Sequence, residues 1–302
     1  MAKRHGRNIS GILVLDKAEG ESSNRALQQV KRLYQADKAG HTGSLDPLAT
    51  GVLPLCFGEA TKISQFLLDS DKAYRATIKL GIKTDSGDSQ GEIIAEKDAS
   101  SVDRAGLEQA LASFRGEIEQ IPSMYSALKH EGVPLYKLAR QGKSIERKKR
   151  QINIYHLDLI EFQDTSLIVD IACSKGTYVR TLADDLGEKL GVGAHVTALR
   201  RTKAGPFALS AAHTLVELQA RFETEGFEGI DALLQPADLA VQELPEVSLP
   251  ILSADFIQQG QAVIARHAPT QGLVRLYREQ TFIGIGEILD DGRVAPKRLF
   301  VN

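Results

Sequence analysis

Residues 40–54 contain a single acidic side chain, Asp46, among glycines and small or aliphatic residues in the stretch GHTGSLDPLATGVLP. A carboxylate with an ordinary pKa of about 3.9 is ionised at neutral pH, so apolar surroundings oblige it to find a cation or several hydrogen-bond donors. Such a group can act as a nucleophile or a base. An Asp followed by Pro47 also suits a helix N-cap, which contributes about 1 kcal/mol. Spacing alone leaves both interpretations open.

Positive charge is concentrated in residues 123–150, although the whole chain has a net charge of −2. This basic segment holds eight Lys or Arg residues against two glutamates, with two tyrosines among them, whereas residues 206–246 are strongly acidic. Phosphate binding depends on local charge, and aromatic rings stack on bases, so the pattern predicts a loop that grips an RNA backbone. A solvated surface loop fits the run IERKKRQ equally well. The triplet Lys148, Lys149 and Arg150 is the candidate for backbone contacts.

The segments that must position these residues alternate between strand and helix patterns. The apolar run 11–17 and the strictly alternating residues 73–81 predict strands. Helical spacing follows in 21–34 and in 102–116, where Gly116 is placed to end the helix. Residues 166–191 predict a strand, a tight turn and a helix. This mixture favours an α+β fold over a regular βαβ alternation.

The C-terminal part has a different pattern. A proline-punctuated linker is predicted at 243–250, and short apolar runs separated by glycines then predict a small β-rich domain over residues 247–302. The expected catalytic domain spans residues 1–240. An acidic stretch at 83–92, KTDSGDSQGE, fails the calcium-loop pattern because Gly87 stands at loop position 3, where a ligand is needed, so a hairpin turn is predicted there.

Composition excludes several classes of protein. Hydrophobic residues make up 42% of the chain and charged residues 25%, which is typical of soluble globular proteins. No run approaches the roughly 18 apolar residues of a membrane span, and the basic N-terminus lacks the apolar stretch of a signal peptide. Cys56 and Cys173 fit no metal spacing and predict buried thiols in a reducing cytoplasm. We therefore expect a cytoplasmic protein with no membrane partner.

Four stretches closely resemble the TruB family of bacterial pseudouridine synthases, which modify the T loop of tRNA. The resemblance extends over most of residues 8–205, and the four stretches occur in the family's order. The C-terminal stretch GEILDDGRVAPKRLF resembles the small PUA barrel that often follows the catalytic domain in this family. The four stretches are GHTGSLDPLATGVLPL (40–55), GEATKISQFLLDSDKAYRATIKLG (58–81), QIPSMYSALKHEGVPLY (120–136) and CSKGTYVRTLADDLGEKLGVGAHVTALRR (173–201).

The resemblance implies a fold and a reaction. The fold is a catalytic domain with a mixed, largely antiparallel sheet followed by a PUA-like β-barrel. The reaction detaches uracil from its ribose and rejoins it through C5, at uridine 55 of tRNA. The family uses no metal, nucleotide or redox cofactor, in keeping with the lack of a P-loop, GxGxxG turn or zinc pattern here.

The same resemblance assigns catalytic roles through matching motifs. Asp46 matches the family acid, which acts as a nucleophile or base on the sugar or the uracil. Arg180 matches its electrostatic partner, and its planar fork stays charged when buried. The alternative interpretation of Arg180 is an ordinary surface arginine on a helix. Tyr74 matches the tyrosine that stacks on the target base, although it could equally be a plain core residue of its strand.

Four further residues match substrate-binding positions. His41 matches the histidine that enters the space left by the flipped uridine, and Tyr178 and Leu199 match walls of the base pocket. Lys17 lies where the family usually shows Lys followed by Pro. Here Ala18 replaces that proline, which puts the rigidity of the loop in doubt.

Three functions therefore compete. The first is a tRNA-modifying isomerase that works as a monomer on the T arm and T loop of tRNA without a protein partner. The second is a tRNA-binding folding helper, an RNA chaperone in which catalysis is secondary. The third is a member of the relatives that work inside guide-RNA particles, which the lack of long basic tails disfavours.

Overall fold

The computed structural model describes residues 6–126 and 128–300. The outermost residues of the two expected domains, 1–5 and 301–302, lie outside this range. The chain divides into two compact units. The first comprises Met1–Asp46, Val52–Asp69 and Gly205–Asn302, and the second comprises Pro47–Gly51 and Ser70–Ala204.

The strands of the described residues, in chain order, are β1 Gly11–Lys17, β2 Ala39–His41, β3 Thr50–Phe57, β4 Lys72–Leu80, β5 Ile82–Thr84, β6 Ile93–Glu96, β7 Gly116–Gln120, β8 Lys129–His130, β9 Val133–Pro134, β10 Arg150–Gln163, β11 Ser166–Cys173, β12 Ala194–Ala204, β13 Phe207–Ala208, β14 His213–Thr214, β15 Glu246–Leu249, β16 Gly272–Arg278, β17 Thr281–Ile288 and β18 Val294–Leu299. The α-helices are α1 Ser23–Leu33, α2 Ser64–Leu68, α3 Arg104–Ala112, α4 Leu135–Ala139, α5 Val179–Lys189, α6 Leu215–Asp231 and α7 Ile251–Gln258. Short 3₁₀ helices occur at Gly58–Ile63, Leu209–Ala211 and Ala237–Val241.

The largest sheet of the described residues is mixed. Its strands follow the order β14-β1-β3-β12-β4-β11-β10-β7, with β2 and β13 attached beside β3 and β12. Strand β4 pairs antiparallel with β11 and β12, and β10 pairs antiparallel with β11 and β7, whereas β1 with β14 and β3 with β12 are parallel. The α+β class and the largely antiparallel sheet expected from the sequence are confirmed.

Local sequence explains why the elements begin where they do. Ser22 caps α1 by accepting a hydrogen bond from the backbone NH of Arg25 at 3.2 Å, and Asp103 caps α3 through the NH of Gly106 at 2.8 Å. In β4 the predicted alternation holds, because Ala76 and Ile78 on one face are buried. Helix α3 ends at Ala112, four residues before the predicted glycine.

The C-terminal strands form a second sheet in the linear order β15-β16-β17-β18. One face packs on α7 around Val247, Ala254 and Val274. Elsewhere in the same unit, Ile285 and Phe300 share a core with Ile63 from the 3₁₀ helix that precedes α2. The expected β-rich region is thus present, but its described strands form an open sheet rather than the closed barrel that the resemblance implied. The proposed linker at 243–250 is wrong in part, since β15 lies within it and pairs in parallel with β16.

The acidic stretch at 83–92 is a hairpin turn, as predicted. Strands β5 and β6 pair on either side of it, and Asp85 accepts a hydrogen bond from the NH of Glu92 at 2.9 Å. We refer to residues 84–92 as the acidic hairpin. Among the residues that the structure describes, no helix has both the length and the apolar character needed to cross a membrane.

The two cysteines are buried and are not joined in a disulfide, in agreement with the prediction of buried thiols. Burial raises the pKa of Cys56 to about 12 and that of Cys173 to about 11. Because only the thiolate reacts quickly, both thiols are unreactive at neutral pH in the folded protein. We expect a thiol-reactive dye to label neither cysteine in native protein at pH 7.5 and both in denaturant, as counted by intact mass. Labelling of either cysteine in native protein would contradict this.

Candidate active site

The loop that carries Asp46 is held by hydrogen bonds from distant parts of the first unit. The hydroxyl of Ser23, on α1, accepts from the NH of Leu45 at 2.7 Å and donates to the carbonyl of the same residue at 3.1 Å. Thr42 donates its NH to the carbonyl of Pro54 at 3.1 Å. A residue next to Asp46 is therefore fixed on both sides of its backbone, which limits where the carboxylate can point.

Residues 42–49 have irregular backbone, and β3 begins directly afterwards. The helix that Asp46 would cap is therefore not formed in this described stretch, so the helix-cap interpretation is wrong. Its neighbours Leu45 and Leu48 are each only 6% exposed, and Val52 is fully buried. Asp46 itself is half-buried. The apolar residues expected around Asp46 are therefore buried, whereas Asp46 itself keeps part of its surface exposed.

Gly51, the second residue of β3, has a φ of +99°, in the region that favours glycine. It pairs in parallel with Arg201 of β12. A Cβ at this position would collide with the carbonyl oxygen of Arg201. The close approach of β3 to β12 therefore depends on the missing side chain.

Two predicted binding residues lie at strand ends in the first unit. Lys17 ends β1 and is fully buried, and its Nζ donates to the carbonyls of Ala18 at 2.7 Å and Glu21 at 2.8 Å. These two hydrogen bonds hold the loop that follows β1, in which Ala18 replaces the usual family proline. His41 ends β2, where it pairs with Leu55 of β3, and is half-buried.

Arg180 lies in the second unit, in the first turn of α5, and is 4% exposed. Its Nη1 donates to the carbonyl of Ser86 at 2.8 Å and lies 3.5 Å from the carboxylate of Asp88, and its Nη2 donates to the carbonyl of Tyr125 at 2.7 Å. The alternative of an ordinary surface arginine is therefore wrong. Arg180 is a buried cation held by the acidic hairpin and the basic segment.

Asp88 is a functional candidate that the sequence did not single out. It is 4% exposed and accepts hydrogen bonds from the hydroxyl of Ser86 at 2.7 Å and from the NH of Gln90 at 3.1 Å. The hairpin is also tied to β12, since the NH of Ser89 donates to the carbonyl of Val196 at 2.9 Å. A buried carboxylate beside Arg180 offsets part of the cost of burying its charge.

The start of α5 is set by an amide from β7. Gln120, only 2% exposed, accepts from the NH of Tyr178 at 2.8 Å and donates to its carbonyl at 3.0 Å. Tyr178 is the residue immediately before α5, two positions before Arg180. This two-way clasp fixes the helix end on which the guanidinium depends. The sequence did not indicate Gln120 as a site residue.

Tyr74 and Leu199 lie on one face of the central sheet. In the pairing of β4 with β12, Tyr74 stands opposite Arg201 and Ala76 stands opposite Leu199. Directly paired residues share a face, and diagonal neighbours two positions apart remain within reach of an aromatic ring. Leu199 is 8% exposed and Tyr74 is half-buried. Arg201, 1% exposed, adds a buried cation on the same face that the sequence analysis missed.

The basic segment is largely exposed. It contains the short pair β8 and β9, then α4, then irregular chain before β10. Lys148, Lys149 and Arg150 are all exposed, and Lys149 forms an ion pair at 3.0 Å with Glu119, itself about half exposed. Exposed cations of this kind are free to exchange such a weak pair for a phosphate.

The predicted residues are divided between the two units. Lys17, His41 and Asp46 belong to the first unit, and Tyr74, Tyr178, Arg180 and Leu199 belong to the second. The pairing of Asp46 with Arg180 stays a prediction.

Models of one protein family match almost all of the chain after residue 30. The model of the TruB family pseudouridylate synthase (N terminal domain) matches residues 31–179, and two TruB C-terminal models match 180–242 and 245–300. The tRNA pseudouridine synthase B of Pseudomonas aeruginosa (strain UCBPP-PA14) is 57% identical over 98% of both chains. That of Aliivibrio salmonicida (strain LFI1238) is 53% identical over 99% of this chain and 96% of its own.

Among solved structures, the chain is similar to one in a crystal structure of a Cbf5-Nop10-Gar1 complex, with a TM-score of 0.74 and 26% identity. The match covers 96% of this chain and 85% of that one. A second neighbour, an H/ACA RNP bound to a substrate RNA containing 2'-deoxyuridine, has a TM-score of 0.75 at 24% identity and shows the fold alone. With relatives more than half identical over nearly its full length, this chain belongs to the TruB family of pseudouridylate synthases.

Proposed function

We propose that this protein is a tRNA pseudouridine synthase that converts uridine 55 in the T loop to pseudouridine. The bond between C1′ and uracil N1 breaks, a bond between C1′ and C5 forms, C5 loses its proton, and N1 takes up a proton from solvent. Asp46 supplies the carboxylate on which this rearrangement depends. The relatives described above carry the name tRNA pseudouridine synthase B, which supports tRNA as the substrate.

One observation carries the proposal: the second unit joins an exposed cationic surface to a buried arginine. Tyr125, within the basic segment, accepts a hydrogen bond from Arg180 through its carbonyl. The exposed lysines suit the phosphates of a T arm, whereas a buried guanidinium suits charge that develops during bond rearrangement. A protein that only bound RNA would need the first feature but not the second.

The flipped uridine would stack on Tyr74 beside Leu199, with His41 entering the space it leaves. Tyr178 would line the same pocket, and Lys17 would serve substrate binding by holding the loop after β1. The enzyme would act as a cytoplasmic monomer on tRNA alone. The rearrangement needs no cofactor, because no electron or group is gained or lost.

The test is release of tritium from an unmodified tRNA transcript labelled at uridine C5, with purified protein and no guide RNA. C5 loses its hydrogen only when the new carbon–carbon bond forms, so we expect near-stoichiometric release. Mapping of the modified nucleotide then checks position 55, for which a transcript with uridine 55 replaced by cytidine serves as control. Tight binding without release would favour the RNA-chaperone function, and release only with a guide RNA would favour the guide-particle function.

Replacing Lys148, Lys149 and Arg150 together by glutamine should weaken tRNA binding and reduce its salt dependence. Each lost phosphate contact lowers the slope of log K against log salt by about 0.7 to 0.9, so the slope should fall by about 2 to 3. The measurement is a binding titration at several salt concentrations. A matched control replaces Lys31, Arg32 and Lys38, which lie outside the basic segment. An unchanged affinity and slope in the first variant would refute the assignment of these residues to the RNA backbone.

A further inference from the structure

Arg180 is held between two loops that are far apart in sequence. On one side Nη1 donates to the carbonyl of Ser86 in the acidic hairpin, and on the other Nη2 donates to the carbonyl of Tyr125 in the basic segment. The two acceptors are backbone oxygens, so the direction of the guanidinium plane depends on where the two loops lie. Any change in the spacing of these loops moves at least one of its hydrogen bonds.

The side chain of Tyr125 connects the same two loops directly. Its hydroxyl donates a short hydrogen bond to the carboxylate of Asp85, which also accepts the NH of Glu92 within the acidic hairpin. This bond to a carboxylate raises the pKa of the Tyr125 hydroxyl, so the phenol stays protonated and keeps donating at neutral pH. Arg180, the hairpin and Tyr125 thereby form a closed ring of contacts.

The base of the basic segment is closed close to this ring. Arg147 donates from Nη1 to the carbonyl of Pro122 at 3.2 Å, and Tyr136 donates its NH to the carbonyl of Ser126 at 3.1 Å. Tyr125 lies between these two closures in sequence. The exposed cations that follow Arg147 are therefore anchored within a few residues of Tyr125, whose carbonyl contacts Arg180.

We propose that Tyr125 is a positioning residue for the reaction, which couples the RNA-gripping segment to Arg180. The inference rests on the proposed function, in which Arg180 serves the chemistry. The hydroxyl fixes the segment to the acidic hairpin at the spacing that the guanidinium needs. When the segment grips the tRNA backbone, the ring of contacts holds Arg180 in its productive orientation, so binding and catalytic geometry are linked.

The test is the substitution Tyr125→Phe, which removes the hydroxyl of the side chain and keeps its aromatic ring. We expect the single-turnover rate at saturating tRNA to fall about fivefold to tenfold, as for the net loss of one solvent-exposed hydrogen bond, with Kd for tRNA within about twofold of wild type. The matched control is Tyr155→Phe, because Tyr155 also donates to a carboxylate, Asp71, at 3.3 Å, from strand β10. The Tyr155→Phe control should have the single-turnover rate and the melting temperature of the wild type.

A double-mutant cycle with Asp85→Asn tests whether the two residues act through one bond. The asparagine keeps an oxygen for the NH of Glu92 but replaces the second acceptor by an NH₂ group. The double variant should be no slower than Tyr125→Phe alone. A wild-type rate in Tyr125→Phe, additive losses in the cycle, or a rate loss fully matched by weaker binding would each overturn the inference. Absence of product from wild type would instead count against the proposed function.

Discussion

Replacing Asp46 by asparagine should abolish pseudouridine formation while tRNA binding and melting temperature stay close to wild type. Asparagine has nearly the same shape but neither the charge nor the nucleophilic oxygen of a carboxylate. The side chain is half-buried in a loop whose backbone is fixed by Ser23, so the substitution should not disturb the fold. Loss of one catalytic acid–base or nucleophilic group should lower the single-turnover rate by about four orders of magnitude.

The measurement is tritium release at uridine C5 in a single-turnover reaction, alongside a binding titration. Asp37→Asn is the matched control, because Asp37 is the preceding acid in the chain and is exposed. The control should release tritium at the wild-type rate. Equal release by Asp46→Asn and wild type would keep the enzyme but return Asp46 to a structural role.

Replacing Arg180 should affect both rate and stability, and two variants separate these effects. Arg180→Lys keeps a positive charge but cannot direct one fork to the carbonyls of Ser86 and Tyr125 at once. We expect a rate loss of about 10² to 10³, comparable to removing one preorganised donor at a reacting centre. Single-turnover kinetics at saturating tRNA is the measurement, and a rate within twofold of wild type would contradict it.

Arg180→Met should in addition destabilise the fold, because it leaves the carboxylate of Asp88 buried without its cation. Removing one partner of a buried pair costs about 3 to 5 kcal/mol, and the side chains of Arg180 and Asp88 are only 5% and 6% exposed. Denaturant unfolding measures the loss. Adding Asp88→Asn to this variant should recover part of the stability without restoring activity. No recovery would mean that the pair does not carry the effect.

Much of the local structure could be predicted because it depends on short-range patterns. The apolar run at 11–17 became β1 without any shift in its ends, and the strand, turn and helix predicted in 166–191 are β11 and α5. Helix α3 ends early because Ser113, Phe114 and Arg115 close turns with carbonyls three residues back, and Gly116 instead opens β7 with a φ of +86°. Gly116 therefore marked a change of backbone direction, but at the start of β7 rather than at the end of α3.

The surroundings of Arg180 could not be predicted from the sequence. Ser86 and Asp88 precede it by about ninety residues, and sheet topology rather than local spacing brings the hairpin to the first turn of α5. The motif around Arg180 was recognised, and the acidic hairpin was correctly interpreted as a turn. Nothing in either stretch, however, predicts that the two are in contact. The burial of Arg201 could not be predicted either. Arg200 and Arg201 are two adjacent arginines in the sequence, but successive side chains of a strand point to opposite faces, and only that of Arg201 is buried.

The absence of a side chain at Gly51 limits which sequences this protein can explore. Any Cβ there meets backbone of Arg201 rather than a flexible side chain, so no compensating substitution elsewhere can make room for it. The start of β3, just after the Asp46 loop, thus has one position at which a randomised library should return a single amino acid. Positions 44 and 47 in the same loop are exposed and have no such restriction from burial. The tolerance of the loop to variation is therefore set by the strand that it meets as much as by the acid that it carries.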